Sequence, residues 1–189
     1  MFKLLLSSCR RLERMAHDKR AVSAIEFAFL APIMIMMYVG AAELGNALTI
    51  NRRTSAVTST AADLVAQVKS VAPSDLQDIG SAATSVMAPY PTTPLKIVLS
   101  SVVADENNIG LVTWSYATNG GTPRACGSNY PVPAGLTQPN SSVIVAEVSY
   151  AFQPMTNLTV FGAPIAYDMN RTFYARPRRS LQVTKTDGC

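Results

Sequence analysis

From Ala21 to Ala42 the chain reads AVSAIEFAFLAPIMIMMYVGAA, and Ser23 and Glu26 are the only clearly polar side chains in it. No charge falls between Glu26 and Glu43. As a helix these 22 residues reach roughly 33 Å, enough to cross a hydrocarbon core of about 30 Å. In lipid a single segment must satisfy its own backbone hydrogen bonds, and only a helix does so. Lys3, Arg10, Arg11, Arg14, Lys19 and Arg20 precede the run, whereas only Arg52 and Arg53 follow it closely. Basic residues stay on the cytoplasmic side, so the pattern predicts a cytoplasmic N-terminus and a C-terminal portion outside. Four parts follow: a basic leader (1–21), a transmembrane helix (22–43), an extramembrane continuation of that helix (44–69) and a globular head (70–189). Two rival readings exist, a plain single-span anchor and a secretory signal peptide cut after Ala41, where Val39-Gly40-Ala41 supplies small residues.

The formal net charge of +4 is confined to the leader. Residues 1–21 hold six basic and two acidic side chains, and the remaining residues hold ten of each. A neutral body offers no basic face able to release counterions from a phosphate backbone, so nucleic acid is excluded as a partner. At 48% hydrophobic and 15% charged residues, against about 25% charged in ordinary domains, the chain is also too apolar for wholesale disorder.

Glu26 is the anomaly. A carboxylate at mid-bilayer costs about 3 kcal/mol, and less near the interface. It therefore either sits at the headgroup boundary or has a partner. Its surroundings are specific: Arg20-Ala-Val-Ser-Ala-Ile-Glu26-Phe27, then an apolar run containing Pro32, then Glu43-Leu-Gly45. This resembles the processing site of type IV prepilins, and in particular the TadE-like pseudopilins of the tight adherence (Tad, Flp) pilus system. The family usually has Gly where this chain has Ala21.

The resemblance implies a type IV pilin-like α+β fold and a minor pseudopilin, a non-catalytic structural or assembly subunit in the bacterial inner membrane with a periplasmic head, able to enter an extracellular pilus. It implies cleavage between Ala21 and Val22 by a prepilin peptidase, which leaves Glu26 at the fifth mature position. Membrane lipid, other pilin and pseudopilin subunits and the Tad inner-membrane platform are the implied partners. Physically, a Glu26 carboxylate can pair with the Val22 ammonium of a neighbouring subunit, and such a pair fixes the axial register between chains. Ala24 with Ala28, and Ala41 with Gly45, are small pairs four residues apart that let helices approach closely. Pro32 lacks a donor and predicts a kink or local unwinding.

Helical spacing continues through Leu44 and Leu48, fades in a Ser/Thr-rich stretch and returns at Val57, Ala61, Leu64, Val65 and Val68, which predicts one helix from Val22 to Lys69. Pro73-Ser74-Asp75-Leu76-Gln77 predicts a second helix to Met87 with Ser74 as its N-cap. Pro89, Pro91 and Pro94 end the helical half. Four strands are then expected, at Leu95–Ala104, Leu111–Thr118, Val143–Phe152 and Tyr167–Ala175, with hairpin turns at Asn107–Gly110 and Asn119–Gly121. Ile144, Ala146, Val148, Tyr150 and Phe152 share the strand face that should meet the helices. Trp114 and Tyr116 share a face and read as core. Residues 122–140 and 153–164 read as loops rich in Pro, Gly and Asn. The layout is a long N-terminal helix and a second helix packed on a small antiparallel sheet.

Cys9 falls in the leader, whereas Cys126 and Cys189 both fall outside the membrane, where a disulfide is permitted. Closing the 62 intervening residues stabilises by about 4 kcal/mol in the chain-entropy view. Two free thiols, or intermolecular bridges, are the alternative. Arg176-Pro-Arg-Arg179 is the basic cluster of the head and reads as a solvated strand end or a contact for lipid or an acidic neighbour. The single histidine, His17, lies in the leader, so the head can form no Ser–His or Cys–His pair. The chain has no P-loop and no dinucleotide turn, and no cofactor or metal is implied. Asp105, Glu106, Glu147 and Asp168 leave a carboxylate-based hydrolase as a third reading, after the pseudopilin and an anchored or secreted binding module.

Overall fold

The computed structural model describes residues 19–154 and 167–188. The leader through Asp18 (with Cys9 and His17), the 155–166 part of the expected loop and Cys189 lie outside the described residues. The chain divides into two compact units, Met1–Gly45 and Asn46–Cys189.

Helix α1 (Lys19–Ala66) runs through Pro32 with no break in its helical assignment. The expected local unwinding does not occur. From Asn46 onward, Ala47, Ile50, Thr54, Val57, Thr58, Ala61, Ala62 and Val65 form one buried stripe, with the three- and four-residue spacing of a docked helix. The sequence pattern seemed to fade here because two threonines occupy stripe positions. Each satisfies its hydroxyl within the helix: Thr54 Oγ1 donates to the Ile50 carbonyl at 2.9 Å and Thr58 Oγ1 to the Thr54 carbonyl at 2.7 Å. That removes the penalty of burying a bare hydroxyl, and their methyl groups pack as aliphatic surface.

Strand β1 (Ser70–Val71) and helix α2 (Pro73–Ser85) follow. The N-cap of α2 is Ala72, not Ser74: Pro73 takes the first helical position and the Asp75 carboxylate accepts the Ala72 N–H at 2.8 Å. Pro tolerates that position because its missing N–H has no helical partner there anyway.

Strands β2 (Leu95–Ala104), β3 (Gly110–Thr118), β4 (Asn129–Tyr130), β5 (Ser142–Phe152) and β6 (Tyr167–Ala175) form an antiparallel sheet in the order β4-β3-β2-β5-β6. The sheet thus has five strands rather than the four expected, because the 122–140 segment contributes β4. A further short segment, β7 (Thr184–Lys185), pairs in parallel with β1. The turn before β3 is held by Asp105, whose carboxylate accepts the amides of Asn107 at 2.9 Å and Ile109 at 2.7 Å, and Asn108 sits at φ 61°. The turn after β3 has positive φ at Asn119 and Gly120, the signature of a type I′ turn.

One face of the sheet meets the helices. Leu95, Ile97, Leu99, Trp114, Ile144, Ala146, Val148, Tyr150, Phe152 and Met169 pack with Val57, Ala61, Val65, Leu76, Ala83 and Met87 in one core. Trp114 is 2% exposed and Tyr116 packs half-buried beside it, as core positions. Burying each large apolar side chain of this kind contributes about 1.5–3 kcal/mol. The opposite face carries a smaller cluster, Val102, Val112, Val143 and Val145, covered by Tyr130 and Val132 from the β4 loop. The architecture is α+β with a pilin-like layout: a long apolar N-terminal helix, a second helix and an antiparallel sheet.

Candidate functional site

The first unit presents its chemistry on the apolar turns of α1. Its best 18-residue window has a mean hydropathy of 2.0 with none of it buried, and among the described residues this is the one helix long and apolar enough to cross a membrane. Phe27, Phe29, Met37 and Tyr38 are all 67% exposed or more. Exposed apolar area of this extent is stable only in lipid or against other apolar helices.

Helical periodicity divides the sequence-derived residues among faces. At about 100° per residue, Val22, Ile33, Met37, Gly40 and Leu44 fall within a narrow arc around Glu26. Ala24 and Ala28 lie on the far side of the helix, and Ala41, Gly45 and Phe27 lie between. The set therefore does not form one patch. Glu26, Ala24, Ala28, Ala41 and Gly45 are all exposed, and a Cβ added at Gly40 or Gly45 would meet nothing within 4 Å. Gly40, which shares the Glu26 face, escaped the sequence reading because no small residue stands four positions away on that face. Ala21 and its bond to Val22 lie on helical backbone at the start of α1.

In the second unit, several charged groups hold structure in place. Arg124 grips Glu147 with two bonds, Nε to Oε2 at 2.9 Å and Nη2 to Oε1 at 2.6 Å, and its guanidinium lies 5.0 Å from the Tyr130 ring centroid. The hydrogen bond to Glu147 raises the Arg124 pKa above its ordinary value. The Tyr130 hydroxyl donates to the same Glu147 oxygen at 3.3 Å. Burial first, and then the Glu147 charge, push the Tyr130 phenol well above its usual pKa. This network staples the β4 loop over the outer sheet face. Glu147 is thereby a structural carboxylate, and Asp105 is tied into its turn.

The Arg176–Arg179 cluster is not simply solvated. Arg176 donates to the Leu136 carbonyl at 2.8 Å, Arg178 pairs with Asp63, and the Arg178 amide donates to the Ala66 carbonyl at 2.9 Å. These bonds open a C-terminal strap. Along it the Trp114 indole donates to the Val183 carbonyl at 2.7 Å, and the amides of Thr184 and Thr186 reach the carbonyls of Lys69 and Val71 at 3.2 and 3.0 Å. Cys126 is disulfide-bonded, and both other cysteines lie outside the described residues. Among the described residues no group of three or more His, Cys, Asp or Glu side chains is placed to hold a metal ion.

Comparison with known proteins bears on the helix alone. Residues 21–63 match the family model of the TadE-like proteins. No curated protein matches. No solved structure matches. The matched segment begins at Ala21, contains Glu26 and both small pairs, and ends within the stripe that docks on the sheet. The likeness to the TadE-like proteins is thus carried by residues 21–63, the apolar helix and the first part of its docked continuation.

Proposed function

We propose that this protein is a minor pseudopilin, a structural subunit that joins a Tad/Flp-type assembly through α1 after a prepilin peptidase cuts between Ala21 and Val22. The observation that carries the reading is a fully exposed apolar helix with one carboxylate, Glu26, about one turn beyond Val22. In lipid that acid needs a counter-charge, and the ammonium released at Val22 of a neighbouring copy or sister subunit supplies it. Because a pair forms at only one axial offset, Glu26 sets register while the apolar side chains supply adhesion. Small residues on opposing faces, Ala24 and Ala28 on one and Gly40 on the other, suit a helix packed between several neighbours rather than one half of a dimer.

The head is then periplasmic, with the leader in the cytoplasm and the span in the inner membrane. A bridge between Cys126 and Cys189 belongs to this picture. Gly127, next to Cys126, donates to the Val112 carbonyl at 2.8 Å, and Gly188, next to Cys189, lines a small cavity with Thr113.

The test is the N-terminal residue of the membrane-extracted protein, together with Glu26→Gln. Val22 as the mature terminus, its loss in cells without the peptidase, and normal insertion but failed crosslinking of Glu26→Gln to sister subunits are expected. An unprocessed Met1 terminus with undiminished activity would leave a plain anchored binding module.

A further inference from the structure

Between α2 and the far end of β3 lies a cleft of about 690 Å³, within the roughly 300–1,000 Å³ of small-ligand sites. One wall is a single face of α2 bearing Gln77, Ser81, Thr84 and Ser85, and the other is Tyr116 with Asn119 of the following turn. Tyr90 also lines it. No Asp, Glu, Lys or Arg lines it, and its apolar lining is limited to Gly, Ala and Pro. A site without charge has nothing to neutralise an anionic ligand, and one without a large aliphatic pocket has nothing to anchor an apolar peptide side chain. What remains is hydroxyls, amides and two phenol rings.

These groups are held in place. Ser81 Oγ and Thr84 Oγ1 donate to the Gln77 and Gly80 carbonyls at 2.9 and 2.7 Å, which leaves their oxygen lone pairs to accept. Asn119 Nδ2 donates to the Leu95 carbonyl at 3.0 Å, leaving its amide oxygen as an acceptor. The Arg53 guanidinium sits 5.6 Å from the Tyr90 ring centroid and braces it from outside the cleft. The Thr118 hydroxyl, in the cleft wall, is buried without a hydrogen-bond partner. Gly80 keeps the wall open, since a Cβ there would stand 3.0 Å from the Thr118 methyl.

We propose that this cleft binds a neutral oligosaccharide. Sugar C–H groups pack against the cleft-lining parts of the half-buried Tyr90 and Tyr116, and ring hydroxyls donate to the fixed acceptors on α2 and Asn119. Neutral rather than acidic sugars fit, because no cation faces the ligand. The site lies in the head and does not depend on the assembly role of α1.

The experiment is isothermal titration of the full chain, in a detergent without a sugar headgroup, with cellohexaose, mannohexaose and galactohexaose, and with hexagalacturonate as the acidic counterpart. Binding of at least one neutral chain is expected. Ser81→Arg or Ser85→Arg, which fill the cleft from exposed helix positions, should weaken it by about tenfold or more without lowering the unfolding temperature. Failure of all three neutral chains at millimolar concentration, tighter binding of hexagalacturonate, or binding that survives both substitutions overturns the proposal.

Discussion

Two glycines should fail in opposite assays. At Gly110, where β3 meets β4, an added Cβ would stand 2.8 Å from the Tyr130 carbonyl oxygen, 2.8 Å from a Val102 methyl and 2.9 Å from a Val132 methyl. Backbone cannot swing aside as a long side chain does, so Gly110→Ala must push β4 away and loosen the cover over Val143 and Val145. Overpacking of this kind costs about 1–3 kcal/mol, and each kcal/mol lowers the midpoint by about 2–4 °C in a domain of this size. At Gly45 the same construction meets nothing within 4 Å, so Gly45→Ile leaves the head alone and gains about 0.5 kcal/mol of helix propensity. Its cost appears only where another helix comes close, as a loss of association of the same 1–3 kcal/mol order, about 5- to 150-fold in the association constant. Thermal unfolding by circular dichroism in detergent reads the first effect, and cysteine crosslinking between subunits in membranes reads the second. If Gly45→Ile destabilised the head, or Gly110→Ala spared it and abolished crosslinking, the division of labour between helix and head would be refuted.

Three further outcomes are expected. Trp114→Phe strands the buried Val183 carbonyl, which should cost about 1–3 kcal/mol and speed hydrogen exchange at the Thr184 and Thr186 amides. Unchanged exchange there would show that the indole does not pin the strap. Because the Tyr130 phenol is held above its ordinary pKa by burial and Glu147, its contribution is intact below the unfolded value of about 10 and falls as pH rises past it. Alkaline titration of head stability should show this loss, and Tyr130→Phe should flatten it. Reduction of the Cys126 bridge should lower stability by about 4 kcal/mol if its partner is Cys189, and a tryptic peptide joining Cys126 to Cys9 instead would sink the assigned pairing.

The elements with a strong periodic signal were legible in the sequence. Leu95–Ala104 and Tyr167–Ala175 stand at the expected bounds, and β3 and β5 each begin one residue early. Alternation reports burial on one face, and that is what these strands do. Two-residue strands have no period to read, so β1, β4 and β7 were invisible. Tyr130 lies in a stretch full of Pro and Gly, and only the tertiary fold shows that it roofs the outer sheet face. Thr54 and Thr58 hid a buried stripe because a hydroxyl counts as polar until its intrahelical bond is seen. Arg176 and Arg178 read as solvated for a related reason, since the carbonyls and carboxylate that hold them lie about 40 and 115 residues away. Along α1, the division of Glu26 and Ala24 between opposite faces emerged only when the helix was followed turn by turn.

The strap has a consequence for biosynthesis. Val183 fills the core beside Trp114, and Thr184 and Lys185 complete a pairing begun at Ser70 and Val71. These residues leave the ribosome after all the other described helices and strands of the head. A nascent head therefore waits, unsealed, with its tryptophan uncovered until synthesis passes Thr186. Messages cut short upstream of that point would yield an exposed apolar helix carrying an open, sticky sheet, the kind of product a quality-control protease is built to remove.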